Sequence, residues 1–139
     1  MNKTLKTVLT IVIVLAIIFV PIITSYNGLV NLEQQVKVAE SNIDTQLQRR
    51  SDLIPNLVNT VKGYASQEKD IFTDIANARS KLAGATTVRD EANADAELSS
   101  ALSRLLVVVE NYPELKSNTN FRDLTVELEG TENRIAIAR

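Results

Sequence analysis

Hydrophobic and polar positions divide this chain into two regimes. From residue 7 to residue 32 no side chain is charged, and Val8 to Ile23 is apolar except for Thr10. Beyond that run, apolar residues return at intervals of three and four among charged and amide side chains. A helix from Leu5 to Tyr26 would be about 33 Å long at roughly 1.5 Å per residue, which matches a hydrocarbon core of about 30 Å. The pattern predicts a transmembrane helix over residues 7–26, preceded by a short basic tail, residues 1–6, that carries Lys3 and Lys6. A cleaved signal peptide would need small residues at its cleavage site, whereas this run ends in the bulky Phe19-Val20-Pro21-Ile22-Ile23-Thr24-Ser25-Tyr26. Pro21 falls near one end, where a missing backbone hydrogen bond costs less, and Tyr26 falls where an aromatic ring favours the interface.

The remainder, residues 27–139, reads as all-α, a bundle with helices at about 29–83, 88–111 and 119–139. In the first of these, Leu29, Leu32, Val36, Ala39 and Ile43 recur in steps of three and four. After one further step of four, to Leu47, the alternation continues through Arg50, Ile54, Leu57, Val61, Tyr64, Glu68, Ile71, Ile75, Ala78 and Leu82. That is a coiled-coil-like seam with a single phase shift. Pro55 predicts a kink at Leu53-Ile54, Gly63 weakens the helix, and Gly84 is placed as its C-cap. Thr87, with Asp90 three residues on, starts the second helix in capping-box fashion. Its face is Leu98, Ala101, Leu102, Leu105, Leu106 and Val109; Val107 and Val108 make that end apolar nearly all round, which predicts burial on several sides. Asn111-Tyr112-Pro113 stops it, and a polar loop leads to a third helix with the stripe Phe121, Leu124, Leu128, Ile135 and Ala138, interrupted by Gly130. This last pattern is still running at Arg139, which predicts that the bundle continues in a longer chain or is completed by a partner.

Charge and composition narrow the chemistry. The part beyond the span carries 13 basic and 17 acidic side chains, a net charge of −4. Such a domain lacks the basic footprint of a nucleic-acid binder. Cysteine and histidine are absent, so no disulfide, no Cys/His zinc site and no Ser-His or Cys-His nucleophile pair can form within the chain. No cofactor is expected. Carboxylate-only chemistry is left. Asp70 with Asp74, and Asp90, Glu91, Asp95 and Glu97, read as solvated faces and a favourable first turn rather than a site. The short tail carries Lys3, Lys6 and the amino group, while only Lys37 lies in the 20 residues after Ser25. The positive-inside bias therefore places the tail in the cytoplasm and the bundle on the outer side.

Arg49, Arg50 and Asp52, just before Pro55, form the most distinctive block. Arg50 occupies a seam position where an apolar side chain is expected. A buried guanidinium must find carboxylate or carbonyl partners, and such a pair fixes helix register. Alternatively the block is a recognition surface, since arginine is enriched at interfaces.

Several stretches together resemble the LemA family of bacterial membrane-anchored proteins. They are the anchor followed by Ser25-Tyr26-Asn27-Gly28-Leu29-Val30, then Gln48-Arg49-Arg50-Ser51-Asp52-Leu53-Ile54-Pro55-Asn56-Leu57-Val58 and Val61-Lys62-Gly63-Tyr64-Ala65. Tyr112-Pro113-Glu114-Leu115-Lys116-Ser117-Asn118, then Phe121 to Leu128 with Glu129-Gly130-Thr131-Glu132-Asn133-Arg134-Ile135-Ala136, follow in the same order. The resemblance implies long antiparallel helices on one amino-terminal span in a bacterial cell membrane. It also implies an external amino terminus, opposite to the charge count. Family members run further, with another helical stretch past the point matching Arg139. The resemblance carries over no catalytic residue. Some members look like partners of membrane proteases or envelope-stress components. The expected function is a non-enzymatic, membrane-tethered adaptor that touches the lipid bilayer through its first helix and another membrane or envelope protein through its bundle. A homo-oligomeric scaffold and a carboxylate-based sensor or enzyme are the alternatives.

Overall fold

The computed structural model describes residues 2–139. Five helices follow one another, α1 (Lys3–Ala65), α2 (Lys69–Gly84), α3 (Val88–Val109), α4 (Pro113–Lys116) and α5 (Thr119–Ala138), with no strand among the described residues. The chain divides into two compact units, one ending at Ser41 and one running Asn42–Arg139.

In the first unit, α1 contains a stretch long and apolar enough to cross a membrane, none of it buried. Thr7, Thr10 and Thr24 donate their hydroxyls to carbonyls four residues back. This is how a hydroxyl satisfies itself on a helix without a neighbour. The seam residues that follow, Leu29, Leu32 and Val36, are 67%, 59% and 57% exposed.

In the second unit the predicted bundle forms, and cross-helix ties fix its directions. From α1 to α2, Lys62 lies over the Phe72 ring and Ser51 meets Arg79, so the two run antiparallel. Lys81 with Glu97 and Asp74 with Arg104 make α2 and α3 antiparallel. Asn120 with Thr60 and Arg49 with Glu127 do the same for α1 and α5. The core is the inner face of each helix: Ile54, Leu57 and Val61 from α1, Ile75 and Ala78 from α2, Leu98, Ala101 and Leu105 from α3, and Phe121, Leu128 and Ile135 from α5. Removing these side chains from water, at roughly 25 cal/mol per Å² of apolar surface, is the main force holding the helices together.

The structure revises the predicted elements in several places. The stretch read as one helix over 29–83 is two elements. It breaks at Ser66-Gln67-Glu68, and α2 folds back against α1. Burial changes phase there: Tyr64 and Glu68, on the predicted seam, are not buried, whereas Ala65 and Phe72 are. The signal is the run Ser66-Gln67-Glu68-Lys69-Asp70. Five consecutive polar residues leave no apolar face for a helix to bury. Pro55, by contrast, sits inside a helix that continues through it. Gly84 is the last residue of α2, and no described glycine has a positive φ, so it is not a left-handed C-cap. The apolar end of α3 is not buried all round: Val107 is 70% exposed and Leu106 is 40% exposed. Tyr112-Pro113 stops α3 and also opens α4, with Pro113 in its first turn, where a missing N–H is harmless. The capping of α3 is as expected, with Thr87 Oγ1 accepting from the Asp90 N–H at 3.1 Å.

Candidate functional site

The block Arg49–Pro55 lies on the stretch of α1 that belongs to the bundle, and helix geometry distributes it. Successive residues turn by 100°, so neighbours cannot share a face. Arg49 points to α5 and its Nη2 meets Glu127 Oε2 at 3.5 Å, both half exposed. Asp52 is exposed and accepts from Gln48 Nε2 at 3.0 Å. Arg50, between them, is 2% exposed.

Arg50 is the centre of a buried polar cluster. Its Nη1 donates to Asp95 Oδ1 at 2.5 Å and its Nη2 to Ser99 Oγ at 2.9 Å, both on α3. Glu132 Oε2, on α5, stands 4.0 Å from Nη2, and Arg139 Nη2 reaches Asp95 Oδ2 at 3.6 Å. Three helices thus meet at one guanidinium. Asp95, 5% exposed, is not part of a solvated acidic face as its neighbours in sequence suggest. Asp95 and Ser99 are one helical turn apart, which places both before the guanidinium. Opposite charges this close, in a low-dielectric interior, hold only in one relative placement of the helices.

Beside the pair a cavity of about 60 Å³ opens between α1, α3 and α5, lined by Leu57, Leu102, Leu128, Ser99, Ser103 and Glu129. The buried Arg50 Nε has no protein hydrogen-bond partner. The space is large enough to admit water beside that nitrogen. It is far below the roughly 300 Å³ of a small-molecule site.

Pro55 is half-buried, and its effect falls four residues back. A proline has no N–H, so the Ser51 carbonyl loses its helical donor. Arg79 of α2 supplies one: its Nε–H donates to the Ser51 carbonyl at 3.0 Å and to Ser51 Oγ at 3.2 Å. The proline thereby becomes the reason for a tie between α1 and α2. This arrangement is invisible to local reading, because Arg79 carries no mark of its target. Around this tie a shallow polar cleft of about 370 Å³ is lined by Asp44, Gln48, Ser51, Asp52, Arg79 and Leu82 among others.

The other acidic residues do not converge. Asp74 pairs with Arg104 at 2.9 Å and Glu97 with Lys81 at 2.7 Å, and Asp70 and Asp90 are exposed. No group of three or more His, Cys, Asp or Glu that could hold a metal occurs among the described residues.

The fold and the Arg50–Asp95 cluster define a class: an antiparallel helical bundle whose first helix also carries an exposed apolar, membrane-compatible stretch. The LemA family model matches residues 39–139, and the chain belongs to that family. It is also similar to magnetosome protein MamQ of Magnetospirillum gryphiswaldense, 25% identical over 140 residues covering 82% of this chain and 52% of the relative. Magnetosome protein MamQ 2 of Paramagnetospirillum magneticum is 26% identical over the same shares. The chain spans about half the length of these relatives.

Proposed function

We propose that this protein is a non-enzymatic adaptor or scaffold, tethered to a bacterial cell membrane by residues 7–26 and acting by contact between its bundle and another membrane or envelope protein. The observation that carries the reading is the contrast between the two units. One offers an apolar helical surface with nothing covering it. The other is a closed core whose buried charges are engaged in ties between helices. A stretch of that length without a cover costs free energy in water and gains it in lipid. Confinement to the membrane then raises the effective concentration of any partner there without adding a contact.

Asp52 and the polar cleft beside it are the surface offered to that partner, with Arg49 on the neighbouring face. A membrane protease or stress-response component fits the family resemblance, and the magnetosome names of the relatives are a second instance of family members assigned to a cell structure. The positive-inside bias favours the bundle on the outer side of the membrane. Protease treatment of intact against opened cells checks the side: the bundle is cut in intact cells if it lies outside. Photo-crosslinkers attached at Arg49→Cys and Asp52→Cys in the full chain, in its native membrane, are expected to trap one discrete protein. A uniform background of adducts would count against the adaptor reading, as would release of the chain by alkaline extraction.

A further inference from the structure

The exposed seam of the first unit has no role in the reading above. Leu29, Leu32, Val36 and Ala39 fall at heptad positions a, d, a and d, on a helix already formed. The first three are more than half exposed. Their flanks are sparse in charge: Gly28 and Gln35 stand at g, Glu33 and Glu40 at e. Lys37, at b, folds back onto Glu33 at 3.0 Å within the same helix, which leaves the stripe uncovered. We propose that this stripe pairs with the same stripe of a second copy, making a short parallel two-stranded coiled coil directly above the membrane.

Three considerations select a second copy over other occupants. A stripe that begins three residues past Tyr26 lies at a fixed height above the membrane. An identical chain in the same membrane presents a matching stripe at that height, running in the same direction. Charge agrees with that direction. In a parallel pair g faces e of the partner, so Glu33 meets Gly28 and Glu40 meets Gln35. An antiparallel pair would set e against e, glutamate against glutamate. Val36 at a and Leu32 at d are the residue types that favour two parallel strands, while Leu29 at a and Ala39 at d add no such preference. Two heptads bury too little surface to associate in water; confinement in the membrane supplies the missing concentration. The inference rests on the tether proposed above.

The chain has no cysteine, so single-cysteine variants report cleanly. The full-length protein in phosphatidylcholine–phosphatidylglycerol vesicles, oxidised with copper phenanthroline, is expected to form disulfide dimers from Leu32→Cys and Val36→Cys. Their yield should be at least five times that from Asn31→Cys and Gln34→Cys, at c and f. Adding Val36→Asp to Leu32→Cys should reduce the yield to the control level, and Val36→Ile should preserve it, with the thermal melting of the bundle unchanged in both. A flat yield across all four positions in protein that resists alkaline extraction would overturn the pairing and leave the tether standing. Dimers strongest at Asn31→Cys or Gln34→Cys would do the same. Release of the protein by alkali would overturn both.

Discussion

Arg50 shows how one residue constrains three helices. An arginine on an apolar seam is tolerated because Asp95 and Ser99 accept hydrogen bonds from its Nη1 and Nη2. Breaking such a pair leaves the other charge buried and unpaired, at about 3–5 kcal/mol. Asp95→Ala is therefore expected to lower bundle stability by that amount in urea titrations followed by circular dichroism. The double replacement Arg50→Met with Asp95→Leu should recover most of the loss, since apolar residues of similar volume often equal or exceed a buried pair. Thr131 makes the complementary point. It is fully buried, and its hydroxyl donates to the Leu128 carbonyl of its own helix at 2.7 Å. Because no neighbour depends on that hydroxyl, Thr131→Val should change stability by less than about 1 kcal/mol, measured in the same titration. Thr131 was not legible as core, because the apolar stripe of α5 skips from Leu128 to Ile135. The residue between them that buries is polar.

At the scale of elements, the tie from Arg79 to Ser51 accounts for a proline within a helix. If Pro55 creates the demand that Arg79 meets, the two are coupled. Arg79→Ala should cost about 1–2 kcal/mol in the natural chain. It should cost less than half of that beside Pro55→Ala, where the Ser51 carbonyl regains a helical donor; a double-mutant cycle reads the difference. Gly63 and Gly130 are helical, and a Cβ on either would meet nothing within 4 Å. Gly63→Ala and Gly130→Ala should each raise stability by about 0.5–1 kcal/mol, seen as a higher urea midpoint with unchanged slope. Helix existence and the apolar members of the α3 and α5 faces, Leu98, Ala101, Leu102, Leu105, Phe121, Leu124, Leu128 and Ile135, were readable from periodicity, and the Thr87 cap from its residue type and spacing. The reversal at Ser66-Gln67-Glu68 was obscured because the apolar spacing of Ile54, Leu57 and Val61 before it resumes in Ile71, Ile75, Ala78 and Leu82 after it. Rhythm records which residues share a face, not whether the chain has turned round.

For the molecule as a whole, two units share α1 and differ in what their apolar residues meet. The first has its apolar surface open, and the second closes its own around Leu57, Leu98, Leu105 and Leu115. Placing a charge in the span separates their roles: Leu15→Lys with Ile18→Lys should move the full-length protein from the membrane to the alkaline-soluble fraction. The same change should leave the urea midpoint of the bundle in place. The sequence by itself determined the apolar first helix, the all-α class and the family, because hydropathy runs, periodicity and ordered motifs are properties of neighbouring residues. Only the tertiary structure decided that Arg50 faces Asp95, that Arg79 completes the backbone at Pro55, and that the chain reverses after Ala65. Each of these joins residues at least 28 positions apart or turns on which surfaces meet, and a linear pattern carries no record of such meetings.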